Sequence, residues 1–593
     1  MKEFNYEVIV VGSGAGGAMA AYTLTKAGHK VLMLEAGRDY DPTTETPMFK
    51  TKGQAPLMGA GNVDKDFGFY DATVDGGWTV PDEPYTTAEG SEFLWWRARM
   101  LGGRTNHWGR YSLRFSEHDF KGKSRDGFGA DWPFEYQELA PWYDKTEALV
   151  GVCGTNTGLD DMPDSSEGIL QPPPKPRVPE LLVSAAAKKL GIPTALMHRA
   201  VLTRAKDDRQ ACFYATPCGH GCSIGAAFQT TTSLIPMALK TGNLKVITDA
   251  MVREVNVDEN GKVNALTYVD KKSGENKKLT AKVIILAASA CESARVLLNS
   301  KSKHHPQGLA NSSQQVGRNI MDSTGTGVGA HIPALENRPI YNEDGHTANH
   351  LFIPWWGHKK HAKGELDFPR GYHFEISSGF REPSSGVSGN LQGYGKALKQ
   401  QAKKYYGAGV YLSLRGEMLP NEHCYMEIDD KVTDKWGIPV AKFHWKWSEH
   451  ELKQVEHGLK TAKNILETMG ATFSEPLPSA EKAILKGGQI IHEVGATRMG
   501  DSPKESVTNQ YGQTWDCPNL FVMDAGVFAS NPHKNCTLTI MTLAMRNASW
   551  LAEQLSSSNE LSSHHLTSSS VNSSSAHSSS DAPNTVTENS EVL

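Results

Sequence analysis

The sequence predicts an α/β protein whose larger part is a doubly wound, mainly parallel sheet and whose smaller part is built on an antiparallel sheet. Three observations carry this expectation. The N-terminus runs strand, glycine turn, helix, strand; strand-like stretches between residues 243 and 290 can rejoin it; and the middle of the chain alternates aromatic or aliphatic with polar residues. With 593 residues and 39% hydrophobic content, the chain has core for more than one domain.

Each element has a local reason. Residues 6–11, YEVIVV, are a short β-branched apolar run, followed by glycines and by AMAAYTLTKAG, an alanine-rich helical pattern that ends in glycine. KVLMLEAG then reads as a second buried strand, which completes a βαβ unit and implies parallel pairing. Residues 40–95 are rich in Gly, Pro, Asp and Thr and read as a long covering loop. NLKVITDAMVREVNVD, KVNALTYVD and AKVIILAASA are three strand-like stretches expected to rejoin the first domain. From about 325 to 447, YHFEISSGF, GVYLSLRGEM, HCYMEIDD and VAKFHWKW suit antiparallel strands with one buried face. Trp355 and Trp356 lie in this stretch; they read as core or surface structure rather than as a platform for stacking a ligand. Serine makes up fifteen of the last 38 residues, so 556–593 is expected to be a disordered tail.

Composition narrows the partners. A net charge of -5 with no dense Lys/Arg block points away from nucleic acid and anionic membranes. No apolar run is long enough for a transmembrane segment. MKEFNYEVIVVGSGAGG enters a strand almost at once and leaves no room for a signal sequence, so export would rely on another chain. Eight cysteines are too few for a disulfide scaffold, and a reducing compartment is the simpler expectation.

Gly12, Gly14 and Gly17 form G-x-G-x-x-G between the first strand and helix, and Glu35 closes the second strand eighteen residues later. The glycines permit a tight turn and close approach of a pyrophosphate to a helix N-terminus, and Glu35 can accept from ribose hydroxyls. In that βαβ setting the motif indicates a Rossmann-like dinucleotide site. It does not by itself separate FAD from NAD.

Further motifs follow in order: LGGRTNHWGR at 101–110, AKVIILAASACESARVLLNS at 281–300, IHEVGATRMGD at 491–501 and NPHKNCTLTIMTLAM at 531–545. With the N-terminal fingerprint, they make the chain resemble the glucose-methanol-choline oxidoreductases from about residue 5 to 555. Within that family the GG-x-x-x-HW form and the NCTLTIMTLAM block look closest to pyranose oxidases and bacterial sugar dehydrogenases, including glucoside 3-dehydrogenases. The resemblance implies FAD. It implies a discontinuous FAD-binding domain over 1–324, with the covering loop at 40–95 and a cysteine segment at 211–226. A substrate domain on an antiparallel sheet would occupy mainly 325–480, and 481–555 would return to the FAD domain with active-site motifs. Gly12, Gly14, Gly17 and Glu35 would hold the ADP half, with Asp524 and Ala525 near the flavin. His107 matches a histidine that pyranose oxidases bond covalently to flavin; packing beside the ring or local hydrogen bonding stays open as the alternative.

Oxidising an alcohol through a flavin requires loss of the hydroxyl proton and transfer of hydride from carbon to flavin N5, so the protein must supply a base and hold the hydroxyl. His492 matches the family's catalytic histidine and Asn535 its asparagine partner; His533 falls outside that register. The resemblance implies dehydrogenation of a ring hydroxyl on a sugar or glycoside, with C3 the candidate position, and electrons passed to an acceptor other than oxygen. A pyranose-type oxidase and a non-catalytic flavin electron-transfer subunit are the alternatives.

ACFYATPCGHGCSIGA, residues 211–226, places Cys212, Cys218 and Cys222 within eleven residues, with Gly219, Gly221 and Gly225 freeing the backbone to curl. Three local thiolates suit a three-iron cluster, or a four-iron one with an outside ligand; zinc and inherited structure with free thiols stay open. The spacing resembles that of bacterial FAD-dependent glucose dehydrogenase catalytic subunits, which implies a 3Fe-4S cluster that relays electrons from the flavin. Such relatives work with a small partner subunit that carries the export signal and with a cytochrome acceptor. The corresponding expectation is a cytoplasmic enzyme, or a periplasmic one exported with its partner.

Overall fold

Strand β1 (Tyr6–Val11) is flanked by β2 (Val31–Leu34) and, far along the chain, by β6 (Asn276–Leu286), both parallel to it. This comes from a computed structural model that describes residues 5–46, 76–214, 221–339, 349–378, 391 and 393–557. Val8, Ile9 and Val10 are fully buried, because helices cover both faces of a parallel sheet. Helix α1 (Ala15–Lys26) crosses between β1 and β2, as the βαβ reading expects.

The run from 243 to 290 divides into four strands rather than three. Asp249, at φ 55°, breaks NLKVITDAMVREVNVD into β3 (Leu244–Ile247) and β4 (Ala250–Val257); aspartate is among the few residues that enter this region readily. β3 adds parallel to β2, whereas β4 and β5 (Val263–Asp270) form an antiparallel extension. β6 joins the two patterns. Its first half pairs antiparallel with β5 through Asn276–Thr280, and its second half pairs parallel with β1 and with the short strand Leu520–Val522. Helix α2 (Ala290–Asn299) follows directly.

A second sheet has the order β7 (Thr324–His331), β10 (Gly409–Gly416), β9 (Tyr372–Ser378), β8 (Leu351–Ile353), with Ala195–Leu196 at its edge, antiparallel throughout. Tyr372, Phe374 and Ile376 of β9 face a core closed by helix α3 (Glu449–Thr468) through Val455, Leu459 and Ala462. Trp355 is buried there against Tyr372 and Phe368, a core role. The sequence expectation of one buried face is corrected here: His373 and Glu375, on the other face of β9, are buried as well.

Two of the middle strands belong elsewhere. β11 (Tyr425–Thr433) and β12 (Pro439–His444) form a separate small sheet with Thr86–Thr87, and Met426 and Phe443 enter the core of the first sheet. Alternation shows that one face is buried, not which sheet buries it. Of the expected covering loop, Gly76–Gly77 pairs with Arg97–Ala98 and Thr86–Thr87 with β12, while 47–75 lies outside the described residues. Helix α4 (Thr537–Ser556) packs on α1 and on Tyr136–Val150, and most of the serine-rich tail lies outside the described residues. No helix among the described residues is long and apolar enough to cross a membrane.

Candidate active site

One cavity of about 300 Å³ runs from the glycine turn to the C-terminal motifs, lined at one end by Gly12, Gly14 and Glu35 and at the other by His492, Asn535 and Cys536. Gly12 turns at φ 101°, and a side chain there would strike the Ala287 carbonyl. Gly14 differs. It lines the cavity, and a Cβ on it would meet no atom within 4 Å, so the missing side chain is space for a ligand. Gly17 is corrected: it does not line the cavity but backs onto the Gly12 carbonyl, where a Cβ would clash, so it holds the helix against the turn.

Glu35 Oε2 accepts from the Ser13 backbone N–H and hydroxyl, and Oε1 accepts from Gly37 N–H at 2.7 Å, which leaves Oε1 a second lone pair for a ribose hydroxyl. Ser289 lines the same wall at φ 98°; its N–H and the Ser293 hydroxyl donate to Asp524, whose carboxyl burial raises to about 6. Asp524 and Ala525 both line the cavity. Arg97, Arg99 and Arg104 supply positive charge. Arg99 is matched by Glu83 and Glu292, and Arg104 by Glu493 at 2.6 Å, whereas Arg97 forms no ion pair among the described residues. A glycine-walled cradle with a surplus cation fits the pyrophosphate of a dinucleotide.

His107 lies in the cavity wall. Trp96 Nε1–H donates to His107 Nε2 at 3.0 Å, which places the ring proton on Nδ1, and burial beside Arg110 and Arg104 pushes its pKa down to about 3. The lone pair of the neutral ring is thereby engaged.

His492 is set by a strained turn. Ile491 sits at φ 66°, an uncommon conformation for a β-branched residue. The Asp322 carboxyl clamps this turn by accepting from Ile490 N–H (3.2 Å) and His492 N–H (2.9 Å); burial, with Glu493 nearby, raises its pKa to about 7. Asn535 Nδ2 donates to His492 Nε2 at 3.3 Å, so the ring proton lies on Nδ1, towards Ser323 Oγ at 3.0 Å. Enclosure, then Arg415, lowers the His492 pKa to about 3, so the Nε2 lone pair is free of its own proton at neutral pH. Asn535 Nδ2 also reaches Glu375 Oε1 at 3.4 Å. Glu375, pushed up by burial but pulled down more strongly by Arg415, is held at about 2. Asn535 Oδ1 is buried and has no donor among the described residues.

Sequence reading missed Asp322, Ser323, Glu375 and Arg97. Arg104 and Glu493 stand inside motifs it singled out. His533, set aside in favour of Asn535, does not line the cavity; it contacts Asp161 and His373.

Cys212 and Cys222 sit with Val201, Ala226 and Ala227, while Cys218 lies outside the described residues. Tyr214 N–H and Ala227 N–H point at the Cys212 and Cys222 sulfurs, at 3.3 and 3.4 Å. No group of three metal-ligating side chains occurs among the described residues. The following segment is braced to the glycine turn: Gln229 exchanges hydrogen bonds with the Cys222 backbone, Thr230 Oγ1 donates to Ser13 O, and Trp108 Nε1 donates to Phe228 O.

A dinucleotide cradle that opens onto a neutral imidazole and an unsatisfied amide oxygen defines an oxidoreductase acting on hydroxyl groups. The chain belongs to the GMC oxidoreductase family, whose models match residues 6–324 and 420–544. Members bind FAD, and the cradle fits that group. The chain is 28% identical over 558 residues to the 2-methyl-1,2-propanediol dehydrogenase of Mycolicibacterium austroafricanum, covering 93% of this chain and 96% of that one. It is 26% identical over 571 residues to the fructose dehydrogenase large subunit of Gluconobacter japonicus, covering 93% and 98%. Pyridoxine 4-oxidase from Mesorbium loti shares the fold at TM-score 0.63 and 15% identity, over 93% of this chain and 99% of that one.

Proposed function

We propose that this chain is an FAD-dependent dehydrogenase that oxidises a ring hydroxyl of a sugar or glycoside, at C3, and passes electrons to an acceptor other than oxygen. The observation that carries the reading is the buried Asn535 Oδ1 beside the His492 Nε2 lone pair, a donor-poor corner that two adjacent hydroxyls of a sugar ring complete. Gly12, Gly14, Glu35, Asp524 and Ala525 would hold FAD, which supplies the hydride acceptor when bound. His492 takes the hydroxyl proton on Nε2, Ser323 holds the ring by its Nδ1 side, and Asn535 Oδ1 accepts from a neighbouring substrate hydroxyl and so orients the sugar ring. The Glu375–Arg415 pair, 3.4 Å apart, lies behind Asn535 and outside the cavity lining. Two relatives named as dehydrogenases, one of them for a sugar, support this chemistry. C3 rests on the resemblance of the C-terminal blocks to glucoside 3-dehydrogenases.

For electron exit, the reading assigns Cys212, Cys218 and Cys222 to a 3Fe-4S cluster. N–H groups aimed at two of the sulfurs suit thiolate ligands, and the brace to the glycine turn sets the segment against the flavin cleft. A small partner subunit and a cytochrome acceptor follow the same reading, and the designation of the fructose dehydrogenase relative as a large subunit is in keeping with it. Location is cytoplasmic, or periplasmic with that partner. The test is purification with flavin and iron quantified, then a glycoside panel with an artificial acceptor. About three irons per chain, lost in Cys218→Ser while substrate still bleaches the flavin, supports the relay. Deuterium at C3 should slow bleaching; slowing only from C1 or C2 moves the chemistry, and rapid turnover on oxygen alone makes the enzyme an oxidase.

A further inference from the structure

We infer that a file of buried side chains, Glu375, His373, His533 and Asp161, carries the substrate's hydroxyl proton from His492 to His358 at the surface. The inference rests on the alcohol-oxidising chemistry, not on which sugar is used. Each oxidation leaves one proton on His492 for each hydride removed, and the base must shed it before the next turnover. Asn535 Nδ2 lies within 3.4 Å of both His492 Nε2 and Glu375 Oε1, so a substrate hydroxyl or water seated beside that amide would link the two. β9 places His373 two residues before Glu375 on the same face, with Nε2 3.7 Å from Glu375 Oε1. His373 Nδ1 lies 3.3 Å from His533 Nδ1, and His533 Nε2 lies 3.2 Å from Asp161 Oδ1. His358 Nε2 is 3.3 Å from that oxygen; its side chain is 20% exposed and its ring lies 4.2 Å from that of His118.

The hydrogen bonds fix the ring protons. The Asp161 carboxylate only accepts, so His533 donates through Nε2 and accepts at Nδ1, and His373 must donate through Nδ1. His373 Nε2 therefore carries a lone pair towards Glu375; it is fully buried and has no hydrogen-bond partner among the described residues. A proton that passes from His492 over Glu375 to His373 Nε2 makes the missing hydrogen bond. His373 then releases its Nδ1 proton to His533 Nδ1, His533 releases its Nε2 proton to Asp161, and Asp161 hands one to His358 and water. Only N–H and O–H bonds change, and one proton enters as one leaves. The charged groups around the two histidines are Glu375 with Arg415, and Asp161 with Lys534 and Asp119, beyond which lies the Glu417–Arg370 pair. Burial, with Lys534 nearby, holds the His533 ring below its ordinary pKa despite Asp161, so the proton does not rest there.

The test is stopped-flow on the anaerobic holoenzyme, in light buffer with a pH-indicator dye, with an alcohol or sugar that bleaches the flavin. In wild type, dye-detected proton release should track bleaching. In His373→Gln and His533→Gln the first bleaching should stay within about threefold of wild type while proton release lags by roughly 10²-fold, and added imidazole should restore it. A folded variant with full flavin that releases its proton in step with bleaching overturns the inference. Should both variants misfold, the wild-type proton inventory in mixed H₂O and D₂O decides: a curved dependence of turnover supports several protons in flight, and a straight line overturns the relay.

Discussion

Ile491 and Asp322 show how the base is aimed. A β-branched residue at φ 66° costs about 1–3 kcal/mol, and the Asp322 carboxyl offsets this by bonding the N–H groups on either side of it. Asp322→Asn keeps the shape but leaves one of those N–H groups facing an amide NH₂, a loss of about 1–3 kcal/mol. Its Tm and flavin-reduction rate should both fall while Ser323→Ala, which spares the clamp, lowers chiefly the rate; equal Tm for Asp322→Asn and wild type would discard the clamp. His492→Ala should slow flavin reduction by roughly 10²–10⁴, about 3 to 5 kcal/mol of barrier, with FAD content unchanged, and Asn535→Ala should cost less. The pKa of His492 is depressed from 6.5 to about 3, so the neutral base is present above that value and lost only as pH falls through it. His492 should therefore give no inflection between pH 5 and 8; a step near 7 that Asp322→Asn abolishes belongs to the clamp carboxyl, whereas a rise near 6.5 that persists in Asp322→Asn would show that enclosure does not hold the ring neutral. For His107, whose lone pair accepts from Trp96, acid precipitation should leave the flavin in the supernatant. Colour retained in the pellet would establish a covalent bond.

Among the elements, the glycine turn separates binding from folding. Gly14→Val should abolish FAD binding with little change in the Tm of the apoprotein, because its side chain would enter only the cavity. A methyl at Gly16 would run into the Met523 carbonyl, so Gly16→Ala should lower the Tm itself. Flavin absorbance and melting curves of the two variants should therefore diverge; matching behaviour would contradict this division. The turn, its helix and the two motif histidines were legible in sequence because each rests on local spacing. The polar face of β9 was not. YHFEISS alternates as a half-exposed strand does, and only its position in the tertiary fold turns His373 and Glu375 inward. Asp322 was hidden for the same reason: its partners are backbone N–H groups 168 and 170 residues away in sequence, and no local pattern announces them.

Over the whole molecule, the division into a parallel and an antiparallel sheet could be read from strand patterns, while the assignment of β11 and β12 could not, since register and partner are long-range properties. Ending the chain after Ser557 should leave Tm, flavin content and turnover close to those of the full chain, because the remaining sequence is poor in apolar residues and α4 stays intact. A marked drop in Tm would assign the tail a docking role. β6 has a different consequence, one that concerns the order of synthesis. Its second half is sandwiched between strands from the two ends of the chain, residues 6–11 and 520–522. During translation that edge stands open until nearly the whole polypeptide has emerged, which makes the topology slow to close and the nascent sheet prone to pairing with neighbours. A chain that stops at residue 515 should collect in the pellet without flavin, and recovery of it as a soluble yellow protein would mean that the sheet matures without its last strand.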